Sequence, residues 1–177
     1  MKKITLMLIL FAVYINCNAQ SLSPEESKLY NLIMNYRNEL GLPSIPISKS
    51  LTFVAQSHVK DLQSNEITND RCNLHSWSSQ GPWSPCCYTS DHAQANCMWQ
   101  KPKEMTSYKG YGYEIAYGSY GANATAARAI EGWKNSQGHN QVIINQGIWS
   151  SKKWNSIGIG MSQGYAVIWF GEEYDSN

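Results

Sequence analysis

The chain has 177 residues, with 14 Lys and Arg against 13 Asp and Glu, only 15% charged side chains, and 11 Tyr and 7 Trp. A near-neutral sequence with no basic stripe gives no electrostatic support for binding nucleic acid or an anionic membrane. The length suits one domain with a proper hydrophobic core.

Lys2 and Lys3, the apolar run Ile4 to Ile15 and then Cys17-Asn18-Ala19 read as an export signal cut after Ala19. That run is too short to span a bilayer comfortably, and no other stretch approaches the roughly 20 residues a transmembrane helix needs. Tyr14 and Asn16 argue against the alternative of a lipidated Cys17. The expected division is a signal peptide over 1–19 and a single domain over 20–177. Export removes Lys2 and Lys3, leaving 12 basic against 13 acidic side chains, a net charge of −1. It also places the protein in an oxidising extracellular or periplasmic compartment.

Ser23-Pro24-Glu25-Glu26 starts a helix: Ser23 caps, Pro24 suits the first helical position and Glu26 completes a capping box. Leu29, Leu32, Ile33, Tyr36 and Leu40 recur on one face, and Gly41 with Pro43 ends the helix. Ser48 or Ser50 opens a second helix whose inward face is Leu51, Val54, Ala55, His58 and Leu62. His58 is read there as a satisfied core histidine.

Residues 64 to 112 are polar, rich in Trp, Gly, Pro and Cys, and without sustained periodicity. So long a stretch is usually functional or cross-linked. Export leaves Cys72, Cys86, Cys87 and Cys97, an even number that predicts two disulfides. A ring between neighbours Cys86 and Cys87 would be strained, so one of them pairs with Cys72 and the other with Cys97. A zinc knuckle recruiting His75 and His92 is the competing reading, although only Cys72-x-x-His75 has usable spacing. His92 is expected to be a solvated loop residue. Trp77, Trp83 and Trp99 either line a groove for an apolar or sugar ligand or pack around the disulfides.

A third helix is expected over 123–136, with Ala126, Ala129, Ile130 and Trp133 inward and Glu131 facing solvent. Asn123-Ala124-Thr125 is a glycosylation acceptor only in a host that glycosylates, and the leader is of bacterial type. Trp154 to Met161 and Tyr165 to Gly171 read as a hairpin joined by Ser162-Gln163-Gly164, and Gly112 to Tyr117 supplies a third strand. Helices before and between these strands predict an α+β fold, a three-layer α/β/α sandwich around a small central antiparallel sheet.

Three segments carry possible chemistry: Leu74-His75-Ser76, Gly112-Tyr113-Glu114-Ile115-Ala116, and Trp133-Lys134-Asn135-Ser136-Gln137-Gly138-His139. In this order, behind the two helices, they resemble the CAP superfamily, the SCP-like domain of cysteine-rich secretory proteins, insect venom allergens and plant pathogenesis-related proteins. The likeness is to its bacterial secreted type and covers nearly all of 20–177. Asn35-Tyr36-Arg37 with Gly41-Leu42-Pro43 resembles the opening helix, and Leu51 to His58 the second. Gly112 to Ala116 is similar to G-E-N-I-A, with Tyr113 inserted before the acid and Ile115 in place of Asn. Gly158-Ile159-Gly160 and the Tyr165 to Gly171 strand resemble the C-terminal hairpin.

The resemblance implies an open groove on which histidines and glutamates converge, and by position these are His75, Glu114 and His139. Ser136 stands where eukaryotic relatives often carry a second glutamate, which puts any activity that needs both acids in doubt; a hydroxyl remains. Two neutral imidazoles and a carboxylate suit Zn²⁺ or another divalent cation with an open position for water. The expectation is a monomeric, non-enzymatic secreted module that binds a small apolar ligand or a protein partner, with His75, Glu114 and His139 as metal ligands. The alternative is a metal-dependent, peptidase-like hydrolase using the same residues. The sequence has no H-E-x-x-H helix, no Gly-x-Ser-x-Gly elbow and no spare thiol nucleophile, which favours the first.

Overall fold

A computed structural model describes residues 21–119 and 121–176; the expected export segment, with Cys17, lies outside them. Helix α1 spans Pro24–Glu39 and opens with the expected capping box. Ser23 Oγ accepts from the Glu26 N–H at 3.2 Å, and the Glu26 carboxylate accepts from the Ser23 N–H at 2.7 Å. Its buried face is Glu26, Leu29, Ile33, Met34 and Arg37. Leu40, expected inward, is 50% exposed because it caps the helix where the chain swings away through Gly41 at φ 72°. Arg37 is buried in its place. Its guanidinium donates to the carbonyls of Pro43 at 3.1 Å and Ile143 at 2.5 Å and to Asn145 Oδ1 at 2.7 Å.

Helix α2 spans Lys49–Ser64, capped by Ser48, whose hydroxyl accepts from the Leu51 N–H at 2.9 Å. All five residues expected on its inward face are buried. Two short helices, α3 (Ala95–Trp99) and α4 (Lys101–Met105), lie within the segment expected to have no elements. At five residues each they are too short to show a helical period. Strand β1 spans Gly112–Gly118. The single helix expected over 123–136 is two: α5 (Ala126–Lys134) and α6 (Gln137–Ile143). They part at Ser136, whose ψ of 111° takes the backbone out of the helical region. Strands β2 (Ser156–Ser162) and β3 (Tyr165–Gly171) form the expected hairpin. Trp154 stays ahead of β2 and donates its indole N–H to the Val142 carbonyl at 2.8 Å.

The sheet has the order β1-β3-β2 and is antiparallel throughout, with Glu114, Trp169 and Gly158 abreast across its three strands. Alternation sends Tyr113, Ile115, Ile157, Ile159, Ile168 and Phe170 to one face, where they pack with Leu29 and Ile33 of α1 and Ala129 and Trp133 of α5. The other face carries Ala116, Val167 and Trp169 against Leu51, Val54, Ala55 and Val59 of α2. Helices therefore cover both sides, as expected. On β2, Gly158 and Gly160 let α2 lie directly on the strand. A Cβ at either would overlap α2 backbone, at the Leu51 carbonyl for 158 and the Ala55 carbonyl for 160.

The disulfides are Cys72–Cys87 and Cys86–Cys97, with Cα separations of 4.9 and 6.0 Å. Each of the adjacent cysteines thus pairs outward. Among the described residues no helix is long and apolar enough to cross a membrane.

Candidate binding site

Glu114 lies on the α2-facing side of β1, so its carboxylate enters the layer between sheet and helix, and its side chain is fully buried. It is held there by two imidazoles. His75 Nδ1 approaches Oε1 at 2.8 Å and His58 Nδ1 approaches Oε2 at 2.5 Å. Burial pushes the Glu114 carboxyl up, but the charge of His58 and hydrogen bonds from both rings outweigh it and hold the group below the usual carboxylate range. An ionised carboxylate only accepts, so His75 donates to it through Nδ1.

His58 is buried, as expected of a satisfied core histidine: Nε2 meets the Ser76 carbonyl at 2.9 Å, and the ring stacks on Trp77 at 4.2 Å and 8°. The sequence marked it as a polar group on an apolar helix face that needs a partner, but could not show that the partner is Glu114 on a strand 56 residues away.

His75 is 18% exposed and sits in a segment pinned from several sides. Its own N–H donates to Asn73 Oδ1 at 3.0 Å. Asn73 N–H donates to the Tyr88 carbonyl at 2.9 Å, and Tyr88 N–H donates to Ser76 Oγ at 2.9 Å. Trp77 and Cys86 exchange both backbone hydrogen bonds, at 2.8 and 3.0 Å. The Cys72–Cys87 bridge closes the same two segments. Asp61 of α2 ties them to the helix by accepting from the Ser78 N–H at 2.8 Å and the Ser78 hydroxyl at 2.5 Å.

His139 is in the first turn of α6, brought toward β1 because Trp133 of α5 donates its indole N–H to the Ala116 carbonyl at 3.1 Å. Its Nδ1 shares a hydrogen bond of 2.9 Å with the Ser136 hydroxyl. Burial, then the charge of His75, lowers the affinity of this ring for a proton, so at neutral pH it is an uncharged imidazole. Among the described residues neither His75 Nε2 nor His139 Nε2 has a hydrogen-bond partner.

A cation would find the Glu114 carboxylate fully buried and already hydrogen-bonded by two imidazoles. Among the described residues no group of three or more His, Cys, Asp and Glu side chains is placed to hold a metal ion. His92 is exposed on its loop and shares a hydrogen bond of 2.9 Å with the Tyr88 hydroxyl. Of the three tryptophans, Trp77 is 2% exposed, with Trp83 edge-on to it at 4.9 Å, and Trp99 lies against Tyr113 at 5.7 Å. These contacts are packing. Glu131 is exposed. A cavity of about 610 Å³ is lined by Asn65, Glu66, Trp77, Ser78 and the Cys72–Cys87 bridge.

A search of curated proteins gives no significant match. Among solved structures the chain is similar to an outer surface protein of Borrelia burgdorferi, at 19% identity and a TM-score of 0.57, over 85% of this chain and 94% of that one. It is also similar to an extracellular protein of Bacillus anthracis containing an SCP domain, at 17% identity and a TM-score of 0.59, over 87% of this chain and 45% of that one. A cysteine-rich secretory protein of Staphylococcus aureus matches at 17% identity and a TM-score of 0.54, over 84% of this chain and 39% of that one. The chain thus spans less than half the length of the last two proteins. At these identities the likeness is one of fold. The sequence itself matches the family model for the cysteine-rich secretory protein family over residues 30–169, and the chain belongs to that family, the CAP family.

Proposed function

We propose that this protein is a non-enzymatic module that works outside the cytoplasm and binds an apolar ligand or a protein partner at the surface formed by His75 and His139. The observation that carries this reading is the state of Glu114. Its side chain is fully buried, and both oxygens are occupied by imidazole nitrogens. A carboxylate so placed is shut off from water and substrate, from which a general base must take a proton. What reaches the surface is the partly exposed ring of His75, its orientation fixed from behind by that carboxylate, a feature suited to recognition. Ser136, at the place of the second acid, hydrogen-bonds His139 and offers no charge. Two disulfides support an oxidising compartment.

The test screens a library of apolar fragments and short peptides by amide chemical shifts, alongside Zn²⁺ titration and a peptide-hydrolysis assay with and without chelator. Shifts should cluster around His75 and His139, vanish in His75→Ala, and occur with no turnover. Chelator-sensitive hydrolysis lost in both His75→Ala and His139→Ala would replace this reading with the metal-dependent hydrolase.

A further inference from the structure

Near its C-terminal end α2 carries a buried acid that the His75 surface does not use. Asp61, 3% exposed, accepts from the N–H and hydroxyl of Ser78 and from Asn65 Nδ2 at 2.8 Å. Ser78 in turn offers its carbonyl to the indole N–H of Trp83 at 3.0 Å. One carboxylate therefore fixes both an amide and, through Ser78, an aromatic ring. Gly81 makes room for that ring, since a Cβ there would overlap the Trp83 indole.

These two groups border adjoining hollows. The cavity of about 610 Å³ and a second of about 370 Å³ share Asn65 and Gln80 in their walls. Both volumes fall in the range of small-molecule sites, about 300–1,000 Å³. Half-buried Phe53, Trp83 and Met105 line the second. Around them are uncharged groups with bonding capacity to spare. Among the described residues Asn65 Oδ1, Gln80 Oε1 and the hydroxyls of Ser57 and Ser64 have no hydrogen-bond partner. The exposed charges in the walls are one of each sign, Lys60 and Glu66. None of His75, Glu114 and His139 lines either hollow.

We propose that this groove is a second binding site, for a neutral oligosaccharide. A sugar ring presents C–H groups on its face and hydroxyls at its rim, which suits an indole bordered by amides and hydroxyls. An ion finds no net charge here. A lipid chain would strip water from the amides without replacing their hydrogen bonds. Trp83 and Asn65 are held in place before any ligand arrives, so little ordering cost falls on binding. The site stands apart from the His75 surface and does not depend on the reading given for it.

The test titrates ¹⁵N-labelled protein with cellotetraose and with N-acetylchitotetraose to millimolar concentration, beside a proline-rich peptide. At least one sugar should saturably shift the Trp83 indole N–H and the amides of 64–67 and 78–83, and leave those around His139 in place. Trp83→Leu should weaken binding about tenfold, the scale of removing an aromatic anchor. Gln80→Ala should weaken it about threefold, the scale of one hydrogen bond. Gln80 is exposed and its side chain bonds only the neighbouring Ser79, so this variant decides the matter if Trp83→Leu does not fold. No saturable shift with either sugar, shifts centred on His139 instead, or equal affinity in wild type and Gln80→Ala would overturn the proposal. Saturation by the peptide alone would assign the groove to a protein partner and overturn it too.

Discussion

The two faces of the sheet are built on opposite plans. Toward α1 and α5 the face is apolar or aromatic and, apart from Ala166, built of large side chains, from Tyr113 and Ile115 to Ile168 and Phe170. Toward α2 the middle row reads Glu114, Trp169 and Gly158: a charge, the bulkiest side chain and no side chain at all. The first face gains stability from area alone and tolerates exchange of one hydrophobe for another of similar volume. The second depends on a helix lying against bare backbone, and the same close approach brings His58 within reach of Glu114. Stability on one side is distributed; on the other it is tied to the geometry of the site.

The largest effect should follow from adding a side chain where α2 meets β2. In Gly158→Val the new atoms overlap the Leu51 carbonyl, which is helix backbone and cannot rotate aside. The cost should be at least ~3 kcal/mol, at or beyond the upper end of ordinary overpacking. Ile168→Val on the opposite face should cost only about 1 kcal/mol. Urea unfolding of both variants checks the contrast. Equal losses would show that the two faces do not differ as described.

Removing the Cys72–Cys87 bridge with Cys72→Ser and Cys87→Ser should cost about 3 kcal/mol, the usual scale for a loop of this length. Here the position of the loss is more informative than its size. The sheet and helices α1, α2 and α5 contain none of these cysteines, so their amide protection against hydrogen exchange should fall together and only to the extent that global stability does. Residues 73–88 should lose protection beyond that, and the His75 Nδ1–H signal should broaden. Uniform loss across the chain would mean that the braced segment and the frame unfold as one unit.

That division also explains what could be read from the sequence. The capping box at Ser23, the inward face of α2 and the hairpin at 162–164 are local signals, each produced by residues a few positions apart, and the structure reproduces them. Leu40 failed because a turn through Gly41, not periodicity, decides where it points. Helices α3 and α4 lie where periodicity has too few residues to register, and α6 was merged with α5 because Ser136 breaks the helix through ψ rather than composition. The pairing of Cys86 and Cys87 outward followed from strain, but which partner each takes depended on how the segment folds back. His58 was legible as buried, and its tie to Glu114 was not, since only the packing of α2 on the sheet brings the two together.

A more gradual effect concerns pH. Glu114 is held below its ordinary 4.5 and His139 below its ordinary 6.5. In each case the unfolded chain binds more protons than the folded one between the two values, so stability rises with pH through that window. The contribution of His139 is complete above about 6.5 and declines as acid drives its ring to accept a proton. That of Glu114 is complete above about 4.5 and declines below it. Thermal unfolding followed across this range should show Tm falling on acidification, first through the histidine and then through the glutamate. His139→Gln should remove the first step and keep the second. A Tm that rises as pH falls from 6.5 would contradict the lowered proton affinity of the His139 ring.

The smallest effect distinguishes a structural from a site-directed use of one hydroxyl. Ser136 occupies the N-cap of α6, where truncation to alanine typically costs about 1 kcal/mol because a helix N–H loses its acceptor. Here the hydroxyl makes no capping bond; it faces His139 Nδ1 at 2.9 Å instead. Ser136→Ala should therefore change unfolding free energy by less than about 0.5 kcal/mol, the scale of a substitution that breaks no buried network. The His139 ring should nevertheless lose its fixed orientation, seen as a redistribution between its two neutral tautomers in the nitrogen spectrum, while His75, held by Glu114, stays as it was. A full capping penalty with an unchanged His139 would assign Ser136 to the frame. The expected pattern assigns it to the site, although it stands at a helix terminus like any capping serine.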